Sequence, residues 1–399
     1  MKVDGPDQSP QTHQQKQTSP ERSATYQGRK VKISKNQRFL KWCSSVIEHV
    51  VNKIALIQRS IKTFFVKSPY LLIGRFWEQV TLPDTVSELR DIAIHSALAQ
   101  IPYTLSQDPT DTWQLVKDAE RFDSNKIKTG LADHYIEPQI FDTLFNNLDH
   151  NNNPVSPPVE SLFQNIKQLP NGMIIDQKTG LVAALALNPK SNTVVLIFGG
   201  TNSALGIDDL LDEQGNTIPK SKGIYQAQVK ADIHNLIGTK IPKCYRQAAE
   251  LTKKVRGLMQ DHQLMTTLGI NSSTANLVLT GHSLGGAMVQ YASAKNAVPG
   301  YGFSSAALGK KTLKSLTVEQ KRTANRLVAN YLIDRDPLTT PIGYLVWHKW
   351  FAPTILGRRS IIKGVSETGK NTAAGRHSWS HKHYMAALEK LRDELINRP

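Results

Sequence analysis

Hydrophobic positions in the first part of the chain follow a helical period. Between residues 43 and 64 the intervals alternate between four and three, which is typical of one long amphipathic helix. The apolar residues of this stripe are Cys43, Ile47, Val50, Ile54, Ile57, Ile61 and Phe64. Residues 1–36 contain almost no aliphatic side chains, so burial could not offset the entropy of ordering them. We therefore predict a disordered basic tail over 1–36 and an amphipathic helical extension over 37–83.

The pattern after Pro83 is that of a different kind of unit. A second helical period begins, and the residues on its apolar side are Val86, Leu89, Ile92, Ala93 and Leu98. From residue 173 onward, short apolar runs alternate with turns, and a Thr-Gly turn between the runs 173–175 and 181–186 predicts a hairpin. Helical and strand patterns then alternate to the end, as in a mostly parallel sheet flanked by helices. We assign residues 84–399 to one α/β domain.

Charge is distributed unevenly along the 399 residues. The formal net charge is +16, and residues 1–75 hold fourteen Lys and Arg but four Asp and Glu. Such a balance favours anionic partners. The N-terminal helix has three interpretations: it packs on the following domain, pairs with another helix, or lies in a membrane interface. No nucleic-acid-binding fold or interleaved aromatic pattern accompanies the charge, so we expect peripheral membrane contact and no nucleic-acid partner.

Cysteine content and hydropathy limit the cellular setting. The two cysteines, Cys43 and Cys244, cannot form a disulfide framework, and both are expected to be inert thiols. The first residues lack the apolar run of a Sec signal peptide, and no stretch of roughly 18 apolar residues could span a bilayer. The sequence predicts a protein that is soluble as made and reaches membranes only at their surface.

A strand, a sharp turn and a helix meet at the most informative motif of the chain. The sequence from 281 to 287 is Gly-His-Ser-Leu-Gly-Gly-Ala, preceded by the apolar run 277–279 and followed by a helical pattern. In such a nucleophile elbow the glycines allow strand and helix to pack closely, and the serine hydroxyl stands exposed above the sheet. Ser283 is therefore the candidate nucleophile. The N–H of Leu284, at the helix N-terminus, is a candidate oxyanion donor.

Two motifs resemble those of the class 3, or fungal-type, lipases of the α/β-hydrolase superfamily. One is the elbow, and the other is the run Val194 to Ser203, which is similar to the family's strand ending in Phe-Arg-Gly-Thr/Ser. The resemblance covers roughly residues 170 to 391. It implies an α/β-hydrolase fold and an oxyanion donor at Thr201, through its N–H and also its hydroxyl. Gly199 stands where the family has Arg, and residues 305–309 stand where it has Gly-x-Pro.

A serine hydroxyl needs a base to take its proton and a carboxylate to orient that base. The superfamily's chain order is Ser, acid, His. The apolar run 327–333 leads into Asp334 and Asp336. The resemblance favours Asp336, because a Pro-Leu pair follows it much as Val-Pro follows the family's acid. For the base, His377 lies before the last helical pattern, and His381 is the alternative because it matches a His-x-x-Tyr spacing of the family.

The sequence thus predicts a serine hydrolase that cleaves carboxylic esters of lipids without a metal or other cofactor. Its basic residues favour phospholipase A activity at anionic membrane surfaces. A triacylglycerol lipase or carboxylesterase is the alternative, and a membrane- or partner-binding scaffold with a decayed site is a second one. A polar N-terminus before a lipase-like domain also resembles bacterial effectors, so a cytoplasmic protein and a secreted effector both fit. The sequence leaves the oligomeric state open.

Overall fold

The structure is a computed structural model. It describes residues 85–104, 162–169, 172–189, 191–201, 203, 222–333, 354–362 and 381–397. The predicted tail and helical extension, residues 1–83, lie outside this part of the chain, and the predicted domain boundaries stay predictions.

Helices and strands alternate along the described residues. The helices are α1 (Val86–Leu98), α2 (Ile101–Thr104), α3 (Lys222–Ile237), α4 (Lys243–Leu258), α5 (His262–Thr267), α6 (Leu284–Asn296), α7 (Lys310–Lys314), α8 (Val318–Leu327) and α9 (His381–Ile396). The strands are β1 (Ile166–Gln168), β2 (Ile174–Asp176), β3 (Leu181–Asn188), β4 (Thr193–Phe198), β5 (Asn276–His282), β6 (Gly300–Phe303), β7 (Val328–Ile333) and β8 (Arg358–Ile362). The predicted hairpin is confirmed as β2 and β3, which pair antiparallel.

The eight described strands form one sheet in the order of the sequence, β1 to β8. The pairs from β1 to β4 are antiparallel, and the pairs from β4 to β8 are parallel. The prediction of an α/β fold with a mostly parallel, helix-flanked sheet is confirmed. Because β4 to β8 run in one direction, their carboxyl ends share one edge of the sheet and their amino ends share the opposite edge. These are called the carboxyl edge and the amino edge below.

Two hydrophobic cores lie on the two faces of the sheet. On one face the helices α4, α6 and α8 pack together, and the α6 side chains from Leu284 to Ala294 are buried. On the other face α1 packs against α9, and the apolar side of α1 predicted from the sequence, including Leu89, Ile92 and Leu98, is fully buried. Burial of apolar surface on both faces stabilises the sheet and holds its two edges in place.

Two local signals explain where the flanking helices begin. The Thr85 side chain accepts a hydrogen bond of 3.1 Å from the Glu88 N–H and caps α1. Thr317 and Gln320 form a capping box at the start of α8. Such caps satisfy N–H groups that a first helical turn leaves without partners. None of the described helices is long and apolar enough to cross a membrane.

Candidate active site

Ser283 occupies a strained turn at the carboxyl edge, between β5 and α6. Its backbone has φ 57° and ψ −121°, a conformation that a residue with a side chain rarely adopts. Backbone strain of this kind costs about 1–3 kcal/mol and persists only where the surrounding structure enforces it. The sharp strand-turn-helix connection predicted from the Gly-x-Ser-x-Gly motif is therefore present.

Glycines are required on both sides of Ser283 because three stretches of backbone meet there. A Cβ on Gly281 would lie 2.6 Å from the carbonyl carbon of Gly285. A Cβ on Gly285 would lie 2.1 Å from the carbonyl oxygen of Phe198, the last residue of β4. Neither distance allows a side chain. The glycines thus bring β4, β5 and α6 into direct contact beneath the serine.

Hydrogen bonds from the neighbouring strand hold the turn in this conformation. The Ser283 N–H donates to the Phe303 carbonyl at 3.0 Å, and the Ser283 carbonyl accepts from the N–H of Ala306 at 3.0 Å and of Ala287 at 3.2 Å. Ser283 itself is buried, at 6% exposed, so the prediction that its hydroxyl stands exposed above the sheet is not met. The partners outside α6 come from β6 and the loop after it. The position of the nucleophile therefore depends on β6 as well as on its own turn.

The two candidate oxyanion donors belong to loops that touch each other. A Cβ on Gly200 would lie 3.1 Å from the Leu284 nitrogen and 2.4 Å from the His282 carbonyl oxygen, so the loop after β4 lies directly against the elbow. Leu284 is the first residue of α6, where N–H groups have no carbonyl of their own helix to donate to. The positive end of the helix dipole also favours negative charge here.

Thr201 follows Gly200 in this loop, and its side chain turns toward α3. The Thr201 hydroxyl donates a hydrogen bond to the Asp232 carboxylate. This bond engages the hydroxyl hydrogen, so the expectation that the hydroxyl also serves the oxyanion is not met by this arrangement. The backbone N–H of Thr201 is the group that remains a candidate donor.

Packing explains why Gly199 stands where the family pattern has Arg. A Cβ at this position would lie 2.6 Å from the Ser203 hydroxyl oxygen and 2.8 Å from the Pro102 Cβ. The space is thus filled by the start of the chain's own α2 and by Ser203, whose hydroxyl accepts a hydrogen bond of 2.8 Å from Gln228. The loop is braced by this polar contact.

Tyr103 contacts both halves of the oxyanion region, and the sequence analysis missed it. Its hydroxyl oxygen accepts a hydrogen bond of 3.0 Å from the Gly200 N–H. The same oxygen lies 3.2 Å from Nδ1 and 3.5 Å from the carbonyl oxygen of His282. Burial raises the pKa of Tyr103 well above its ordinary value, so the hydroxyl keeps its proton and can donate toward His282. His282 thus links the elbow to Tyr103.

The second departure from the family pattern, the run from Ser305 to Gly309, is anchored by two amides. The Asn235 side chain donates to the Ala307 carbonyl at 2.7 Å and accepts from the Gly309 N–H at 2.8 Å. Gln290 donates to the Ala306 carbonyl at 3.1 Å. The loop that holds the Ser283 carbonyl is therefore fixed without the Gly-x-Pro sequence.

The acid and base of the predicted triad lie beyond what the structure describes. Strand β7 ends at Ile333, one residue before Asp334, so the predicted strand end is confirmed while Asp334 and Asp336 lie outside the described residues. His377 also lies outside them. His381 is the first residue of α9, and its side chain is not described. The structure therefore brings together Ser283, Leu284 and Thr201. The catalytic roles of these residues, like those of Asp336, His377 and His381, stay predictions.

A cleft of about 330 Å³ lies at the amino edge, away from Ser283. Its lining includes Glu88, Asp91, Tyr301, Tyr331 and Arg358. Glu88 accepts hydrogen bonds from the Tyr331 hydroxyl at 3.2 Å and from the Arg358 guanidinium. Partial burial lowers the pKa of Arg358, but its interactions with Glu88 and Tyr331 together outweigh this effect and raise the pKa. Glu88, Tyr331 and Arg358 thus pair with one another at this edge.

The sequence predicts catalysis at the carboxyl edge without a metal ion. Among the described residues, no group of three or more His, Cys, Asp or Glu side chains is arranged to hold a metal ion. Cys244 is buried at the start of α4, and burial raises the pKa of its thiol well above the ordinary value. A thiol in such surroundings is unreactive, as predicted for Cys244.

Comparison with known proteins gives a match to one family model. Residues 176–342 match the family model of a Tle-like phospholipase domain. No curated protein sequence is significantly similar to the chain. Among solved structures, MDLA from Penicillium cyclopium is 12% identical, with 76% of this chain and 99% of that chain covered and a TM-score of 0.34.

Two fungal lipases are similar to the same extent. The lipase from Rhizopus microsporus var. chinensis is 14% identical over 67% of this chain and 79% of its own, with a TM-score of 0.32. The Rhizomucor miehei lipase, in a propeptide complex, is 13% identical over 79% of this chain and 82% of its own, also with a TM-score of 0.32. The family match over 176–342 contains the elbow and the Thr201 loop. This family match supports the predicted lipid ester hydrolase.

Proposed function

We propose that this chain, whose residues 176–342 match a Tle-like phospholipase domain, is a phospholipase A that acts at anionic membrane surfaces. Ser283 would be the nucleophile, His377 the base and Asp336 the acid that orients it, with His381 as the alternative base. The N–H groups of Thr201 and Leu284 would bind the oxyanion. The strained Ser283 turn, packed against the Gly200 loop, is the observation that carries the proposal.

The chemistry that these residues would perform is acyl transfer through a covalent intermediate. The Ser283 oxygen attacks the carbonyl carbon of a fatty acyl ester, and its proton moves to the imidazole of the base. The carbonyl oxygen becomes an oxyanion between the Thr201 and Leu284 N–H groups. When the tetrahedral intermediate collapses, the C–O bond to the glycerol breaks and the leaving alcohol takes the proton.

Water then hydrolyses the bond between the acyl group and Ser283, and the imidazole again acts first as base and then as acid. The same imidazole takes a proton from a water molecule, whose oxygen attacks the acyl carbon bound to Ser283. The second tetrahedral intermediate releases the fatty acid, and the proton returns to the Ser283 oxygen. The products are a lysophospholipid and a free fatty acid, and no redox partner or metal is consumed.

Tyr103 supports this chemistry as a positioning residue. Its hydroxyl binds the Gly200 N–H, one residue before the Thr201 donor, and it also lies against His282, one residue before the nucleophile. A single side chain thus fixes the separation between the Thr201 loop and the elbow. Oxyanion stabilisation depends on donors held about 2.7–3.1 Å from the position of the developing charge.

Hydrolysis of a soluble p-nitrophenyl ester tests whether the site is catalytic. The Ser283→Ala variant should lose at least about a thousandfold in kcat, because no covalent intermediate can form. A matched Ser293→Ala variant, with a buried serine of α6 outside the elbow, should keep its activity. Unchanged turnover in Ser283→Ala would refute the proposal. Labelling by a fluorophosphonate probe, lost only in Ser283→Ala, distinguishes an active hydrolase from the scaffold alternative.

The phospholipid specificity requires a separate comparison of substrates. Fatty acid release from vesicles of phosphatidylglycerol and phosphatidylethanolamine should exceed release from a triacylglycerol emulsion at equal acyl concentration. Mass spectrometry of the vesicle products should give lysophospholipid together with fatty acid. Equal or faster hydrolysis of the emulsion would favour the triacylglycerol lipase alternative. Delivery as a bacterial effector stays a prediction.

A further inference from the structure

A compact group of cations lies where α3 and α7 meet. The cationic corner, as this group is called here, consists of Lys230, His234, Lys240, Lys310 and Lys311. The four lysine side chains are exposed. His234 is partly buried on the same helix as Lys230.

The corner is held together by the two helices beneath it. Asn235 on α3 donates to Ala307 and accepts from Gly309, the residue before α7. Gly238, just after α3, lies against Lys310, because a Cβ on Gly238 would be 3.2 Å from the Lys310 Cβ. The backbones that carry the lysines are therefore fixed relative to each other.

Little negative charge opposes these cations within the described residues. Asp232 is the only carboxylate in α3, in α7 and in residues 238–243, and it accepts a hydrogen bond from Thr201. Partial burial, followed by the charges of Lys240 and Lys230, lowers the pKa of His234. The lowered pKa agrees with a positive potential over the corner.

The corner adjoins the nucleophile. Asp232, one turn before Asn235, binds the Thr201 side chain of the candidate oxyanion loop. Ala307, which Asn235 holds, follows Ala306, whose N–H donates to the Ser283 carbonyl. Both connections place the corner at the carboxyl edge, on the side of the molecule at which a lipid ester must reach Ser283.

We propose that the cationic corner binds the phosphate groups of an anionic phospholipid surface and so directs the carboxyl edge toward the bilayer. This inference rests on the proposed function and specifies the lipid surface on which the enzyme finds its substrate. Exposed ammonium groups on a fixed base are suited to many headgroups at once, because each Lys near an anionic surface contributes roughly fivefold in affinity. The attraction falls within a Debye length, about 8 Å at physiological salt, so only a surface in direct apposition is recognised.

Vesicle co-sedimentation of the full chain with Ser283→Ala tests the corner without hydrolysis. The corner variant carries Lys230→Gln, Lys240→Gln, Lys310→Gln and Lys311→Gln. The matched control removes four other exposed cations on α4 and α8, with Lys253→Gln, Arg256→Gln, Arg322→Gln and Arg326→Gln. Both variants keep the basic residues of 1–75, so net charge and the N-terminal region are equal between them.

We expect the parent protein to bind vesicles that contain phosphatidylglycerol at least tenfold more tightly than phosphatidylcholine vesicles. The corner variant should bind the anionic vesicles at least about thirtyfold more weakly, and the control variant less than about threefold more weakly. Equal losses in the two variants would overturn the inference. Equal binding of the parent to both vesicle types, or selective binding to an acidic protein instead of vesicles, would overturn it as well.

The experiments distinguish a failure of the membrane-binding proposal for the cationic corner from a failure of the proposed phospholipase function. If the unsubstituted chain hydrolyses phospholipid while the corner variant binds vesicles as the parent does, the corner is refuted and the phospholipase activity stands. If the unsubstituted chain cleaves no ester, the proposed function fails whatever the vesicles bind. Equal thermal unfolding midpoints of parent, corner variant and control exclude misfolding as the cause of a lost interaction.

Discussion

The two edges of the sheet both carry polar groups, yet they differ in how those groups are satisfied. At the amino edge, Glu88 accepts from Tyr331 and Arg358, and a cleft of about 330 Å³ lies above them. At the carboxyl edge, Ser283 is held at φ 57° beside the first N–H group of a helix. The edge with this cleft has the paired charges, and the edge with the strained backbone has the candidate nucleophile.

This difference shows which features indicate catalysis in this molecule. Burial acts on polar groups at both edges: it raises the pKa of Tyr301 to about 12 at the amino edge and raises the pKa of Tyr103 at the carboxyl edge. A raised tyrosine pKa therefore does not distinguish them. Enforced backbone strain and N–H donors without helical partners distinguish the two edges. Both cost free energy, and the surrounding fold retains them at the carboxyl edge.

The largest expected effect is on kcat, when each of the two candidate bases at the carboxyl edge is replaced. Removal of the general base from a serine hydrolase costs about 10⁶ in kcat. We expect His377→Ala to show this loss on a soluble ester and His381→Ala to change kcat less than about threefold. The reverse result would assign the base to His381. Full activity in both variants would remove the catalytic histidine from this part of the chain.

Tyr103→Phe should reduce kcat about tenfold, because the Gly200 N–H would lose its acceptor and the oxyanion loop its fixed position. KM for a soluble ester should change less than about twofold, since the hydroxyl touches no substrate. Tyr245→Phe is the matched control, because Tyr245 is buried and its hydroxyl has no hydrogen-bond partner in the described structure. An unchanged kcat in Tyr103→Phe would exclude the positioning role.

Ser283→Gly should raise the free energy of unfolding by about 1 kcal/mol relative to Ser283→Ala. Glycine relieves the strain at φ 57°, and its greater entropy in the unfolded chain cancels part of the gain. Urea unfolding of the two inactive variants measures the difference. Equal stability of the two variants would mean that the turn is not strained, and the contrast between the edges would lose its physical basis.

The smallest effect is expected at the amino edge. Glu88→Gln should lower the free energy of unfolding by about 0.5 kcal/mol, the size expected for a partly exposed ion pair. Ester turnover should remain within about twofold of the parent. Urea unfolding and the soluble-ester assay provide the two readouts. A large loss of turnover would show that the amino edge takes part in function, which is contrary to the comparison drawn here.

The parts of the site predictable from sequence are those encoded by local patterns. Ser283 could be placed because a strand, two glycines and a helix follow one another within a few residues, and each imposes its own backbone geometry. The end of β7 at Ile333 and the apolar side of α1 were predictable for the same reason. The Thr201 loop was found through its resemblance to a family motif.

Tyr103 could not be found in this way. Its partners Gly200 and His282 are 97 and 179 residues away in sequence, and no spacing rule connects them. The reason for glycine at position 199 was equally unpredictable. Pro102 and Ser203 occupy the space of a side chain there only after α2 has packed beside β4. Contacts between distant segments depend on the complete fold. The triad residues Asp336 and His377, in contrast, remain predictions from chain order.

The hydrogen bonds that Ser283 receives from Phe303 and Ala306 affect when the enzyme becomes competent during its synthesis. A nascent chain that has emerged only as far as α6 contains the whole Gly-x-Ser-x-Gly sequence but lacks the strand against which its turn is held. The nucleophile reaches its working geometry only after residue 306 has left the ribosome and β6 has paired. The proposed acid and base, Asp336 and His377, come later in the chain, so completion of this turn is necessary for activity without being sufficient.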